Sequence, residues 1–536
     1  MARLEQMLDQ IAKGRDVRQN LIEIRQSIAD ESLRRRFLVQ MEGDFSRLTN
    51  LLLTSEDPKI RKNAALILGM TQDEELLPVL FEAWEKEETL FVRMDYLKAI
   101  SGMDYREYLP RLEERVQELS GILENSESSA LLPDDSSPEG TPCASLDVEG
   151  SSSDVATESS LWDNDPHLLA ELSMLRRMIM RYEKQGRHHF IKMNPAPDLI
   201  LRTNVLHSDV TAGRITKGSA HAMRGGVHVK GGDLNEILKI RTWTECLLPV
   251  PGARPITGDE KMIAAKLRDL KIGNFLNYLH ENSGQPYRYR IELRIPSLPD
   301  EKKGEYIRRI ASRLDVMEKG KLLNSESDYE VELRLIERGD HSLIPMLKLF
   351  TLPDERFSYR KETTAQSTSA PVAALAVALA APYLKEGAQI LDPFCGVGTL
   401  LIERCLAVPA DPVYGVDLFG EAVEKARVNS SAIEKARHAP FHYVNRDFFD
   451  FTHEYPFDEI ITHLPDTLSG KEESTGHFLQ KSASLLKDSA VVTVLTDAPS
   501  VLREASANTE GYTVKEEFLL NERTGFTEVI LGFERA

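Results

Sequence analysis

The 536-residue chain predicts a multidomain protein in three parts: an α-helical repeat module, a central α+β region, and a C-terminal α/β domain with a doubly wound, Rossmann-like sheet. Three observations predict this. The length exceeds what one hydrophobic core can serve. The period of the apolar residues changes twice along the chain. Finally, an apolar run ends at Asp392 and opens through Gly396 and Gly398 into a helical pattern, the form of a loop that lets backbone approach a ligand.

Residues 1–121 read as helices. Ile60-Arg61 recurs as Val92-Arg93, Leu68 as Ile100 and Leu77-Pro78 as Leu109-Pro110, a period of 32 residues that suits stacked helix pairs. Two clear copies are fewer than a solenoid usually needs, so residues 1–56 are expected to supply capping helices. This module reads as a docking surface for a protein partner. Residues 122–165 hold eleven acidic residues, eleven serines and no Lys or Arg. Such a stretch cannot bury enough apolar surface to offset its ordering entropy, and it is expected to be a disordered, flexible tether.

Residues 166–255 predict an α+β domain. Helical spacing runs from Leu168 to Tyr182 and a strand from Asp198 to Arg202. A second strand lies between the glycine turns of Gly225 to Gly232, followed by a helix carrying Ile237, Leu238, Ile240, Arg241 and Trp243. Residues 256–355 alternate in the same way, with period two over Tyr287–Leu293 and Asp328–Ile336 and an amphipathic helix over Lys302–Leu314. From 356 to 536 strand and helix patterns alternate, the mark of a parallel sheet covered on both faces. Strands are expected at 389–394, 413–418, 441–445, 457–464 and 491–496, with a terminal hairpin of Tyr512–Leu519 and Thr527–Phe533.

Charge is unevenly distributed. The chain carries a net −19, yet residues 171–360 hold 33 Lys+Arg against 25 Asp+Glu, and a positive block inside an acidic protein marks where a polyanion would dock. No long uncharged apolar run or signal-peptide pattern is present, so no membrane association and a cytosolic location are expected. The four cysteines lack a C-x-x-C pair and the histidines lack ligand spacing, which argues against a metal. Cys395 reads as packing beside a ligand rather than as a nucleophile.

Asp392-Pro-Phe394-Cys-Gly396-Val-Gly398-Thr399 lacks the third glycine of the dinucleotide fingerprint and the Gly-Lys-Ser/Thr ending of a phosphate loop. It resembles the first motif of class I S-adenosylmethionine methyltransferases, in particular the RNA-modifying branch with THUMP domains. Gly225 to Trp243 is similar to the region preceding THUMP in the guanine-N2 enzymes, residues 256–355 look like a THUMP domain, and Asp57 to Gly69 resembles a HEAT repeat. The resemblance implies S-adenosylmethionine as cofactor, held by Asp392, Phe394, Gly396, Gly398 and Thr399. Asp417, ending the next strand, would take the ribose hydroxyls, or else cap the following helix. Asp447 and Phe448 would take the adenine.

The resemblance weakens at the fourth strand. The family ends it with Asn or Asp, two prolines and an aromatic residue; here it reads His463-Leu464-Pro465-Asp466. A guanine amine is a poor nucleophile because its lone pair is delocalised. His463, Pro465 and Asp466 are therefore the catalytic candidates, with no stacking face among them. Tyr287, Arg288, Tyr289 and Arg290, with Arg308, Arg309 and Arg313, are the RNA candidates: aromatic and arginine side chains stack on unpaired bases and contact phosphates. Tyr–Arg pairing on a strand surface is the alternative. The expected activity is methylation of a guanosine N2 amine in structured RNA, transfer or ribosomal. The alternatives are a catalytically degenerate RNA-binding or assembly scaffold, and methylation of protein or DNA.

Overall fold

Helix pairs repeating at a short period bury their apolar faces by stacking, and the chain begins that way. The computed structural model describes every residue except 1, 42, 130–165, 183–185, 282–284, 319–320, 438–439 and 536. The chain divides into two units: Met1–His188 with Gly252–Asn277 and Asn282–Pro345, and His189–Pro251 with Tyr278–Glu281 and Met346–Ala536.

In the first unit four helices (Ala2–Ala12, Val17–Ser27, Glu31–Met41, Ser46–Thr54) precede two helix pairs, Pro58–Thr71 with Leu77–Lys86 and Leu90–Ile100 with Leu109–Ser129. Asp57 accepts from the Lys59 amide and Pro58 opens the first repeat helix, which settles its start. Helices Pro58–Thr71 and Leu90–Ile100 meet at Gly69, where a Cβ would lie 2.5 Å from the Ala99 Cα, so no other residue fits. The repeated arginine works twice. Arg61 forks onto both oxygens of Glu87 at 2.7 and 2.8 Å, while Arg93 donates to the Glu87 carbonyl and to Glu171, each at 2.8 Å.

Glu171 lies on helix Pro166–Met180, which corrects two expectations. This helix buries Leu168, Leu172, Leu175 and Met178 in the same core as Leu68 and Leu97, because its apolar stripe matches that of the repeats. It belongs with the helical module, not with the α+β domain that follows. Helix Leu109–Ser129 also runs past residue 121. Leu119 before the acidic stretch and Leu168 after it lie in the same helical core; residues 130–165, expected to be disordered, lie outside the described residues.

The rest of this unit forms around strand Tyr287–Arg294, which pairs in parallel with Leu322–Asn324 and Val331–Glu337. Helices Glu260–Asp269 and Asp300–Met317 accompany it. Asp315 ties helix Pro166–Met180 to this region: it accepts from the Ser173 hydroxyl at 3.1 Å and the Asn324 amide at 3.0 Å.

The second unit opens with an antiparallel set ordered Ser219–Met223, Gly226–Lys230, Leu199–Thr203, Trp243–Pro249. The helix expected to carry Trp243 is a single turn, Leu234–Ile237, and Trp243 starts a strand. Tertiary contacts override the helical spacing here. The Arg356 guanidinium sits 3.0 Å from the Trp243 ring centroid and donates to the Ile240 and Trp243 carbonyls at 3.0 and 2.9 Å.

The C-terminal sheet has strands β1 (Ala388–Asp392), β2 (Ala410–Asp417), β3 (Phe441–Asn445), β4 (Phe457–His463), β5 (Leu486–Thr496), β6 (Tyr512–Leu519) and β7 (Thr527–Glu534). Their order is β3-β2-β1-β4-β5-β7-β6. β1 to β5 are parallel, and β7 runs antiparallel to both of its neighbours, β5 and β6, the doubly wound sheet and terminal hairpin read from the sequence. The order reverses between β1 and β4, and ligands of such sheets bind outside the carboxyl ends of the strands at that point. Among the described residues no helix is long and apolar enough to cross a membrane.

Candidate active site

The loop after β1 is held by a carboxyl group beneath it. Asp392, 2% exposed, accepts at one oxygen from the Phe394 amide (3.1 Å) and the Thr462 hydroxyl (2.7 Å). Burial pushes this carboxyl up to about 7, and the nearby Asp417 adds to the rise, against the two donors that lower it. Asp392 therefore positions the loop from below. Gly396 and Gly398 have φ of 52° and 79°, backbone that disfavours any side chain. A Cβ on Gly398 would also lie 2.6 Å from the Tyr443 hydroxyl oxygen. Thr399 opens helix Thr399–Ala407 with its hydroxyl buried and without a partner among the described residues.

At the end of β2, Asp417 accepts from the Gly396 amide and the Phe419 amide, both at 2.8 Å, so it ties the glycine loop to the next one. Each carboxylate oxygen keeps a further lone pair for a ligand hydroxyl. Both donors lie outside helix Gly420–Arg437, so Asp417 does not cap that helix. Leu418 and Phe419 follow it at 61% and 68% exposure, large apolar side chains standing open at the rim of the crevice. Asn445 anchors this turn by donating to the Asp417 and Leu418 carbonyls at 3.0 and 2.8 Å.

Past β3, Asp447 spends one oxygen on the Phe449 amide at 2.9 Å and has the other available. Phe448 does not serve as expected. It is 2% exposed and packs against Phe394 and Phe478, so it is core beneath the site; Leu418 is the apolar residue that a ring could lie on. Asn429, buried on helix Gly420–Arg437, was not legible as a site residue. Its amide donates to the Val397 carbonyl at 3.0 Å, and its carbonyl accepts from the Lys361 and Glu362 amides at 2.9 Å. It binds the segment entering the domain to the glycine loop.

His463 ends β4 beside the loop. Its Nδ1 lies 3.1 Å from the Thr368 hydroxyl and its ring meets Phe526 edge to face at 5.2 Å. Burial lowers the imidazole below its ordinary value, opposed by Asp497 and Asp466, so the ring is neutral at pH 7. Pro465 caps the turn that follows, and its carbonyl is taken by the Leu468 and Ser469 amides at 2.9 and 3.0 Å. Asp466 is exposed at the first position of Asp466–Ser469.

Comparison with known proteins agrees with this geometry. Residues 358–487 match the family described as RMKL-like, methyltransferase domain, and residues 45–124 match HEAT repeats. The cofactor of such a domain is S-adenosylmethionine. A curated relative, the tRNA (guanine(10)-N2)-dimethyltransferase of Methanothermobacter thermautotrophicus, is 29% identical over 158 residues, 28% of this chain. The chain spans 45% of that relative's length. Among solved structures, TrmN from Thermus thermophilus covers 63% of this chain and 99% of its own at 19% identity and a TM-score of 0.48. A predicted N6-adenine-specific DNA methylase from Listeria monocytogenes covers 63% and 96% at 13% identity and 0.46.

The residues fit the cofactor. An open rim of Leu418 and Phe419, two acidic strand ends and a glycine turn with free space above Gly396 match a flat apolar ring, a ribose and a backbone-hugging chain. The RNA candidates fare differently. Tyr287 and Tyr289 are each 1% exposed, facing the core because alternate residues of Tyr287–Arg294 point inward, so neither can stack on a base. Arg288 pairs with Asp328 at 2.5 Å and Arg290 with Glu332 at 2.6 Å. Arg290 also lies over Tyr329 at 4.2 Å. The strand-surface alternative does not hold either, because both tyrosines are core residues and both arginines pair with carboxylates. Arg308 and Arg309 are exposed and Arg313 half-buried on helix Asp300–Met317, with Arg309 already paired to Glu305 and Glu260.

Proposed function

We propose that this chain methylates an exocyclic amine of guanosine in structured RNA, transfer or ribosomal. The observation that carries the reading is the conjunction, at one switch point, of a glycine loop, two acidic strand ends and an open polar strand end at His463. The curated relative's own name, a guanine-N2 dimethyltransferase acting on tRNA, supports the choice of acceptor. The positive balance of residues 171–360 supports RNA, and in the 256–355 region, read as THUMP-like, the exposed Arg308 is the side chain left to contact phosphate. The helical module is read as a platform for a protein partner.

S-adenosylmethionine supplies an electrophilic methyl group. This chain's residues do the rest. Asp417 and Asp447 orient the donor, with Leu418 covering its ring. Neutral His463 offers a nitrogen lone pair to an amine hydrogen, while Thr368 fixes the ring's rotation. Asp466, exposed and three residues on, takes the proton that the methylated amine releases, directly or through water. Alignment is the main contribution, since a pre-oriented nucleophile can gain about 7–11 kcal/mol over an encounter in solution.

The test is incubation of the purified protein with labelled S-adenosylmethionine and total RNA lacking modifications, followed by mass spectrometry of the nucleosides. N2-methylguanosine is expected, lost in Asp417→Ala. Label in protein, or none in RNA while calorimetry shows the cofactor bound, would refute the reading.

A further inference from the structure

We propose that Phe526 is the aromatic face on which the target base stacks, in place of the aromatic residue that the turn after Pro465 lacks. This rests on the methyl-transfer reading above. The cofactor residues end β1, β2 and β3, all on one side of the switch point, so the acceptor must enter beyond β4, where His463 stands. The four residues His463 to Asp466 contain no ring except the imidazole. Across from it, the β6–β7 turn delivers one from the far edge of the sheet.

That turn is built to hold the ring still. The Phe526 carbonyl accepts from the Leu520 and Asn521 amides at 2.8 and 3.1 Å, and the Gly525 amide donates to the Asn521 carbonyl at 3.0 Å. The Phe526 amide donates to the Thr524 hydroxyl at 3.2 Å, and the Thr527 hydroxyl donates to the Gly525 carbonyl at 2.8 Å. Gly525 makes the bend at φ 77°. Leu520 is buried under the turn. The outcome is a half-buried phenyl ring, 5.2 Å from His463 at 65°, so two rings of different orientation form one corner.

The proposal is tested with the full chain saturated with S-adenosylhomocysteine. Phe526→Trp introduces an emitting ring at the corner, and guanosine 5′-monophosphate or total RNA lacking modifications is titrated in. Quenching of the added emission is expected. Phe526→Leu, which keeps the apolar volume, is expected to bind the RNA about 5- to 150-fold more weakly, with Phe526→Tyr close to wild type and calorimetric cofactor binding equal in all three. No quenching, or wild-type affinity in Phe526→Leu, would make Phe526 a core ring only and overturn the proposal. Failure of the wild-type protein to bind the cofactor would instead sink the methyltransferase reading, so the two failures are distinct.

Discussion

Replacing Asp392 by asparagine should make the protein more stable at alkaline pH, although Asp392 sits in the most diagnostic motif of the chain. Its carboxyl is displaced from 3.8 to about 7, which corresponds to about 4 kcal/mol. An acid with a raised native value binds its proton more tightly folded than unfolded, so the stability it confers is intact below about pH 4 and falls as pH rises to about 7. Between about pH 5 and 8 the wild type should lose about 2–3 kcal/mol through this group alone. Asparagine cannot ionise, and its carbonyl can accept the same Phe394 and Thr462 donors. Thermal unfolding of both proteins across pH tests this: at about 2–4 °C per kcal/mol for a domain of this size, the wild-type midpoint should drop roughly 5–10 °C further than that of Asp392→Asn. Other buried carboxyl groups cancel in the difference. Parallel pH profiles would show that Asp392 is ionised in the native state and that the account of the loop is wrong.

Three further outcomes are expected. Glu171→Ala leaves Arg93 buried without its carboxylate and should destabilise the helical module by about 3–5 kcal/mol, seen as faster hydrogen exchange in helices Pro58–Thr71 and Leu90–Ile100; unchanged exchange would mean that helix Pro166–Met180 is not part of that core. Gly398→Ala combines a φ of 79° with a 2.6 Å approach to Tyr443, and calorimetry should show cofactor affinity reduced by about tenfold or more. Because burial lowers His463 below its ordinary 6.5, the rate should be flat with respect to this group above about pH 7.5; a rise with a midpoint at or above about pH 7.5 that vanishes in His463→Asn would contradict the neutral-ring role.

How much was legible depended on whether a feature is local. The glycine loop, the strand ending at Asp417 and the terminal strand Tyr512–Leu519 were readable because glycine turns and runs of strand-forming residues leave their mark within a few residues. The repeated Arg61 and Arg93 announced helix stacking, since the same contact recurs in each copy. Phe448 was misread because a sequence pattern gives a residue's position on a strand end, not the depth of the cover above it. The Tyr287–Arg290 stretch failed similarly: alternation does not reveal which face is covered, and only the packed molecule buries both tyrosines and pairs Arg288 with Asp328 and Arg290 with Glu332.

By itself the sequence determined the class of fold, the cofactor loop and the anomaly at His463-Leu464-Pro465-Asp466, all of which follow from runs of neighbouring residues. Tertiary structure decided that Pro166–Met180 returns to the helical core and that Asp392 lies under the loop with Thr462. It also decided that Asn429 binds the entering segment and that Phe526 faces His463 from 63 residues away in the chain. Burial and partnership are properties of the packed molecule, summed over segments remote in sequence, and no local period encodes them.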